Sequence, residues 1–93
     1  MQTADSNNAT RSPHEIEAWI AGALERRIGT PVAEIDRDLE LNAYGLDSVE
    51  AVILGGEIAD WLGIDVDPAI VIEHPTVARL GRALAAAQAG APY

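Results

Sequence analysis

The sequence contains neither cysteine nor lysine. Without thiols it can build no disulfide framework and no thiolate metal site, a composition at home in a reducing cytosol without proving that compartment. The cations are the 6 arginines, set against 15 acids, for a formal net charge of -9. Such a surface repels phosphate backbones and anionic lipid, so nucleic-acid and membrane-surface binding are disfavoured and partners with basic patches are favoured. No apolar run approaches the roughly 20 residues of a membrane span, and no charged-then-apolar leader opens the chain; a cytoplasmic monomer is expected. A glycine-rich phosphate loop is also missing, because Gly55, Gly56 and Gly63 fall inside or at the end of a predicted helix. The chain has 93 residues, 48% of them hydrophobic. That suits one small domain with a modest core, a stability on the order of 5 kcal/mol and no room for a large catalytic cleft.

Residues 1–11 are polar, lack an apolar period and are expected to form a flexible leader. The domain then spans 12–88, with a flexible tail over 89–93. Ser12-Pro13-His14-Glu15 combines an N-cap serine, a proline at the first helical position and a capping-box glutamate. Ile16, Trp19, Ile20, Ala23, Leu24 and Ile28 follow at helical spacing, and Gly29 ends the run. Residues 30–47 form a long connection in which Val32, Ile35, Leu39, Leu41, Tyr44 and Leu46 are available to pin it to the core. A loop this long in a small domain is usually anchored or functional. A second helix is expected from Ser48 to about Leu62, ended by Gly63. Asp67-Pro68 leads into a brief third helix over Ala69 to Glu73, broken by His74-Pro75. Thr76 caps a last helix bearing Val77, Leu80, Ala83 and Leu84, which frays into the tail from residue 86. Ile64-Asp65-Val66-Asp67 alternates like a strand but has no partner. The fold class is therefore all-α, a small four-helix bundle of three main helices and a short third one, with a long loop between helices one and two.

Gly45-Leu46-Asp47-Ser48-Val49-Glu50 is the most informative stretch. Asp47 can accept hydrogen bonds from the free N–H groups of the first turn, and Glu50 can reach back to the cap. Ser48 is thereby presented at an exposed corner, and if the chain handles thioesters, the thiol it lacks must arrive on an attached group, for which this serine is a natural anchor. At 100° per residue, Ala51, Leu54, Gly55, Ile58 and Leu62 form the core stripe of this helix. A second stripe holds Val49, Val52, Ile53 and Gly56, with Glu50 and Glu57 between the two and Asp60 further along, acids that would offer a negative surface to basic docking partners around this helix. It either packs under the long loop or forms an exposed docking face that starts at the serine. Gly55-Gly56 costs about 1 to 2 kcal/mol relative to alanines in mid-helix, which the close approach of another backbone would justify.

Other chemistries fit less well. Asp36, Asp38, Glu40, Asn42 and Asp47 alternate like a calcium loop, but Leu41 stands where the turn needs glycine and Asp47 where a bidentate glutamate belongs. His14 and His74 fall near helix ends with no ligand set around them. Ser48 lacks the flanking glycines and preceding strand of a nucleophile elbow. No metal site and no catalytic residue is expected.

Asp47-Ser48 with the preceding Gly45-Leu46, in an acidic chain of this length and helix order, resembles the acyl carrier proteins. The similarity runs from about Ile16 to Leu84 and includes Leu39, Trp61-Leu62-Gly63 and His74-Pro75-Thr76. It implies that Ser48, with Asp47 beside it, carries a covalent 4′-phosphopantetheine installed from coenzyme A by a separate magnesium-dependent phosphopantetheinyl transferase. It also implies a carrier, not an enzyme, that holds acyl groups as thioesters on the terminal thiol and presents them to an acyltransferase or ligase and a ketosynthase. Trp61-Leu62-Gly63 and His74-Pro75-Thr76 look more like polyketide-type than fatty-acid-type carriers, and Gly45-Leu46-Asp47 is closer to acyl than to peptidyl carriers. Ile53 stands where fatty-acid carriers often have an acid. The alternative from another class is a small acidic interaction domain with no prosthetic group.

Overall fold

The structure, a computed structural model, describes residues 11–90. Helix α1 spans Pro13–Ile28. Its start is held reciprocally, the Glu15 N–H donating to Ser12 Oγ at 3.1 Å and the Ser12 N–H to Glu15 Oε1 at 3.0 Å. Gly29, at φ 80°, closes it with an N–H donated to the Glu25 carbonyl. Such an αL closure favours glycine. Ile16, Ile20, Ala21, Ala23 and Leu24 are buried. Trp19 and Ile28, expected in the same stripe, are only partly buried against the core.

Helix α2 covers Ser48–Leu62 and ends at Gly63, φ 69°. Its buried residues are Ala51, Leu54, Gly55 and Ile58, with Leu62 at the edge of the core. Helix α3, Ile70–Glu73, starts one residue later than expected. Asp67 shapes its entry, accepting the Ala69 N–H on Oδ1 at 2.9 Å and the Ile70 N–H on its carbonyl at 2.9 Å. Helix α4, Val77–Gln88, is capped by Thr76 Oγ1, which accepts the Arg79 N–H at 3.1 Å. It does not fray from residue 86. Its alanines are strong helix formers, and Gln88 is held in place, Nε2 donating to the Arg11 carbonyl at 3.0 Å and Oε1 accepting the Arg11 N–H at 3.1 Å. Arg11, expected in the leader, is thus part of the folded unit, while the rest of the leader and residues 91–93 of the tail lie outside the described residues.

The long connection contains two 3-10 turns, Val32–Glu34 and Leu41–Tyr44. Ile35, Leu41 and Leu46 are buried and Tyr44 packs at the core edge. Val32 and Leu39, expected to pin the loop, are instead 38% and 41% exposed. Backbone bonds do that work: the Leu41 N–H donates to the Pro75 carbonyl at 2.8 Å and the Ala78 N–H to the Arg37 carbonyl at 2.9 Å. Tyr44 Oη accepts the Asp36 N–H at 2.6 Å and donates to the Asp36 carbonyl at 3.1 Å. Among the described residues there is no strand, only an isolated bridge between Glu40 and Thr76.

α1 packs on α4, and α2 on α3. The α2–α3 contact depends on Gly55, where a Cβ would fall on the Pro68 carbonyl oxygen and lie 2.9 Å from the Pro68 Cα. The link before α3 therefore lies directly on the α2 backbone. At the far end of α2 from Ser48, Trp61 stacks on Trp19 with centroids 4.8 Å apart. The guanidinium groups of Arg11 and Arg26 cover the outer faces of that pair, 4.9 Å from Trp61 and 5.9 Å from Trp19.

Candidate functional site

Ser48 is the first residue of α2, and its setting follows from its neighbours. Gly45, at φ 88°, turns the chain out of the second 3-10 turn. Leu46 then anchors it in the core, and the chain re-enters the core at Ala51. Between those buried points Asp47, Ser48 and Val49 are exposed. Asp47 Oδ1 accepts the Glu50 N–H at 2.8 Å, and Glu50 Oε1 accepts the Asp47 N–H at 3.5 Å. The Ala51 N–H is taken by the Asp47 carbonyl at 2.9 Å. The N–H groups of Ser48 and Val49 are left as the open donors of the turn, where the helix dipole favours an anion.

Two open clefts meet at Ser48. One, of about 400 Å³, lies toward the long loop, floored by Leu46, Ala51 and Val71 and rimmed by Glu40, Asn42 and Asp47. The other, of about 460 Å³, is a shallow recess between Val49, Val52, Ile53 and Ile72. The serine hydroxyl thus has open space on both sides.

The second apolar stripe of α2 does not pack under the loop. Val49, Val52 and Ile53 are 67%, 40% and 48% exposed, and Gly56 is partly exposed, with nothing within 4 Å of where a Cβ would sit. The acids of the stripe fare differently: Glu50 is folded into the cap, Glu57 Oε1 accepts from Arg27 Nη2 of α1 at 2.9 Å, and Asp60 is exposed. Ile72, which reasoning from sequence placed only in a short helix, joins this face at 49% exposure. The available signal was three consecutive apolar residues in a single helical turn, of which one side must point outward, though not which one.

In the acidic loop, Asp36 Oδ1 accepts the Asp38 N–H at 2.9 Å, an Asx turn, while Asp47 is spent on the helix cap. Among the described residues no group of three or more His, Cys, Asp or Glu is placed to hold a metal ion. His14 lies in the first turn of α1 and His74 at the end of α3, far apart in the sequence and on different elements.

Residues 18–84 match the family model described as "Phosphopantetheine attachment site". The chain is 39% identical over 72 residues to a phenolphthiocerol/phthiocerol polyketide synthase polypeptide of Mycobacterium tuberculosis, covering 77% of this chain and 4% of that protein. It is 31% identical over 81 residues to a nonribosomal peptide synthetase of Omphalotus olearius, covering 87% of this chain and 2% of that protein. The chain therefore spans only a few per cent of these relatives' length. Among solved structures, it is similar to an acyl carrier protein from Anabaena with a variant phosphopantetheinylation-site sequence, at TM-score 0.76 and 26% identity over 95% of this chain and 92% of that one. It is also similar to the acyl carrier protein LipD of Actinoplanes friuliensis, at TM-score 0.68 and 34% identity over 86% and 89% of the two chains.

Proposed function

The chain belongs to the acyl carrier proteins, and from that premise we propose that Ser48 is the residue on which it carries 4′-phosphopantetheine. The carrying observation is the exposed Ser48 at the capped start of α2, with the cleft toward the loop on one side and the apolar recess on the other. The residues fit the group. The open N–H donors of the first turn and the helix dipole suit a phosphodiester on Ser48 Oγ, and the paired clefts leave room for the arm. Asp47 and Glu50 oppose the new anion by like-charge repulsion, but Asp47 also fixes the serine's position. When bound, the arm supplies a thiol that holds acyl groups as thioesters. The protein's own part is to orient Ser48 and to present one recognisable face, while the chemistry takes place in other enzymes. A flexible tether raises the effective concentration of its cargo at those sites.

The partners we propose are a phosphopantetheinyl transferase, an acyltransferase or ligase that loads the thiol, and a ketosynthase that draws on it, in polyketide or related specialised biosynthesis in the cytoplasm. The similarity to polyketide synthases supports this pathway over fatty-acid synthesis. No helix among the described residues is long and apolar enough to cross a membrane.

Incubation with coenzyme A, magnesium and a promiscuous phosphopantetheinyl transferase should add one phosphopantetheine to the wild-type mass and none to Ser48→Ala. A wild-type chain that gains nothing would show instead an interaction domain without a prosthetic group.

A further inference from the structure

We propose that Arg11 and Gln88 form a clasp at the pole of the molecule opposite Ser48, a local switch that opens as one unit. Closed, it seats the chain entering α1 on Trp61 and holds the last turn of α4. Open, it releases both and leaves the corner around Ser48 as it is.

The clasp is made by one side-chain amide and one guanidinium. The Gln88 amide takes both backbone groups of Arg11, Oε1 accepting its N–H at 3.1 Å and Nε2 donating to its carbonyl at 3.0 Å. The Arg11 guanidinium lies 4.9 Å from the centroid of Trp61, which stacks on Trp19 at 4.8 Å. Among the described residues the ion pairs are Arg27 with Glu57 and Arg37 with Glu17. In a chain with 15 acids, Arg11 thus gives its charge to a ring face and not to a carboxylate. Trp61 lies about 20 Å along α2 from Ser48.

The contacts are cooperative because they share two residues. Loss of the Gln88 amide frees both backbone groups of Arg11 at once, and the guanidinium is then no longer held over the ring. On either side the fold limits how far opening spreads. Ser12 and Glu15 close a capping box immediately after Arg11, which puts the hinge between Arg11 and Ser12. In α4 the last buried residue is Leu84 and Ala85 packs at the core edge, so the end of the helix is tied to the rest of the fold through Gln88. Two hydrogen bonds that water can replace and one cation–π contact at a partly exposed site are weak beside a whole core. The clasp therefore opens far more often than the domain unfolds.

The chain has no lysine, so trypsin can cut only after its 6 arginines. Cutting after Arg11 needs that residue drawn out with its backbone groups free, and the rate therefore reports the open population. Gln88→Ala should raise the initial rate after Arg11 about tenfold, with cleavage after Arg79, at the other end of α4, within about twofold of wild type. Arg11→Ala removes that trypsin site and is read by fluorescence. Both of the chain's 2 tryptophans are in the stack. Acrylamide quenching should rise about 1.5-fold as the guanidinium leaves the ring. In both variants hydrogen exchange should quicken at the Ala89 amide and stay within about twofold at those of Glu50 and Ala51, beside Ser48. Equal cleavage after Arg11 in wild type and Gln88→Ala would show that no clasp is closed. A rise after Arg11 matched by an equal rise after Arg79 would show global loosening in place of a local switch. Unchanged quenching in Arg11→Ala, or faster exchange at Glu50 and Ala51, would overturn the proposal as well.

Discussion

Truncating Asp47 removes the 2.8 Å acceptor of the Glu50 N–H and leaves one first-turn donor without its partner. Asp47→Ala should lower stability by about 1 kcal/mol, seen as a fall in the thermal midpoint of about 4 to 8 °C for a domain of this size. Asp47→Asn should recover most of that loss, since an amide oxygen caps nearly as well. If both variants melt like wild type, the capping box contributes nothing. This corner was legible in the sequence because a capping box is written in residues three apart, and the structure closes it with the residues expected. Ile72 was not legible, because its exposure depends on where α3 lies against α2 and not on its own neighbours in the chain.

At the scale of the helix, Gly55 and Gly56 look alike in the sequence and separate in the structure. A side chain at Gly55 would collide with the Pro68 backbone, whereas one at Gly56 meets nothing within 4 Å. Gly55→Ala should therefore destabilise by about 1 to 3 kcal/mol, since backbone cannot step aside as a side-chain tip can. Gly56→Ala should stabilise by up to about 1 kcal/mol through helix propensity. Urea denaturation of the two variants checks this, and equal shifts would refute the close-approach account. The long connection carries the same lesson. Of the six larger apolar residues available to pin it, Ile35, Leu41 and Leu46 are buried, while Val32 and Leu39 are left on the surface. In an irregular segment no period assigns residues to a face, and backbone bonds to Pro75 and Arg37 decided the path.

Across the whole molecule, α1 and α2 share one buried core, and two side-chain contacts add to it. Arg27 bonds Glu57, a partly exposed pair worth no more than about 1 kcal/mol. Trp19 and Trp61 stack under the guanidinium groups of Arg26 and Arg11, at the end of α2 remote from Ser48. Aromatic stacking and cation–π contact add to the area buried. Trp61→Ala should therefore lower stability by about 2 kcal/mol or more, while leaving phosphopantetheine transfer to Ser48 near wild-type rate at a temperature where the variant is folded. Loss of transfer in a folded Trp61→Ala protein would mean that the two ends are coupled.

By itself the sequence determined the local features: the capping boxes at Ser12 and Asp47, the glycine closures at Gly29 and Gly63, the buried face of α2, and the presentation of Ser48. Each is a matter of residues within a turn or two of one another, where spacing dictates geometry. Only the tertiary structure decided that the second stripe of α2 is open, that Ile72 joins it, that Glu57 is neutralised by Arg27, and that α4 runs on to Gln88 and holds Arg11. Those outcomes depend on which distant surfaces meet, and a hydrophobic residue is equally content in a core or beneath a partner.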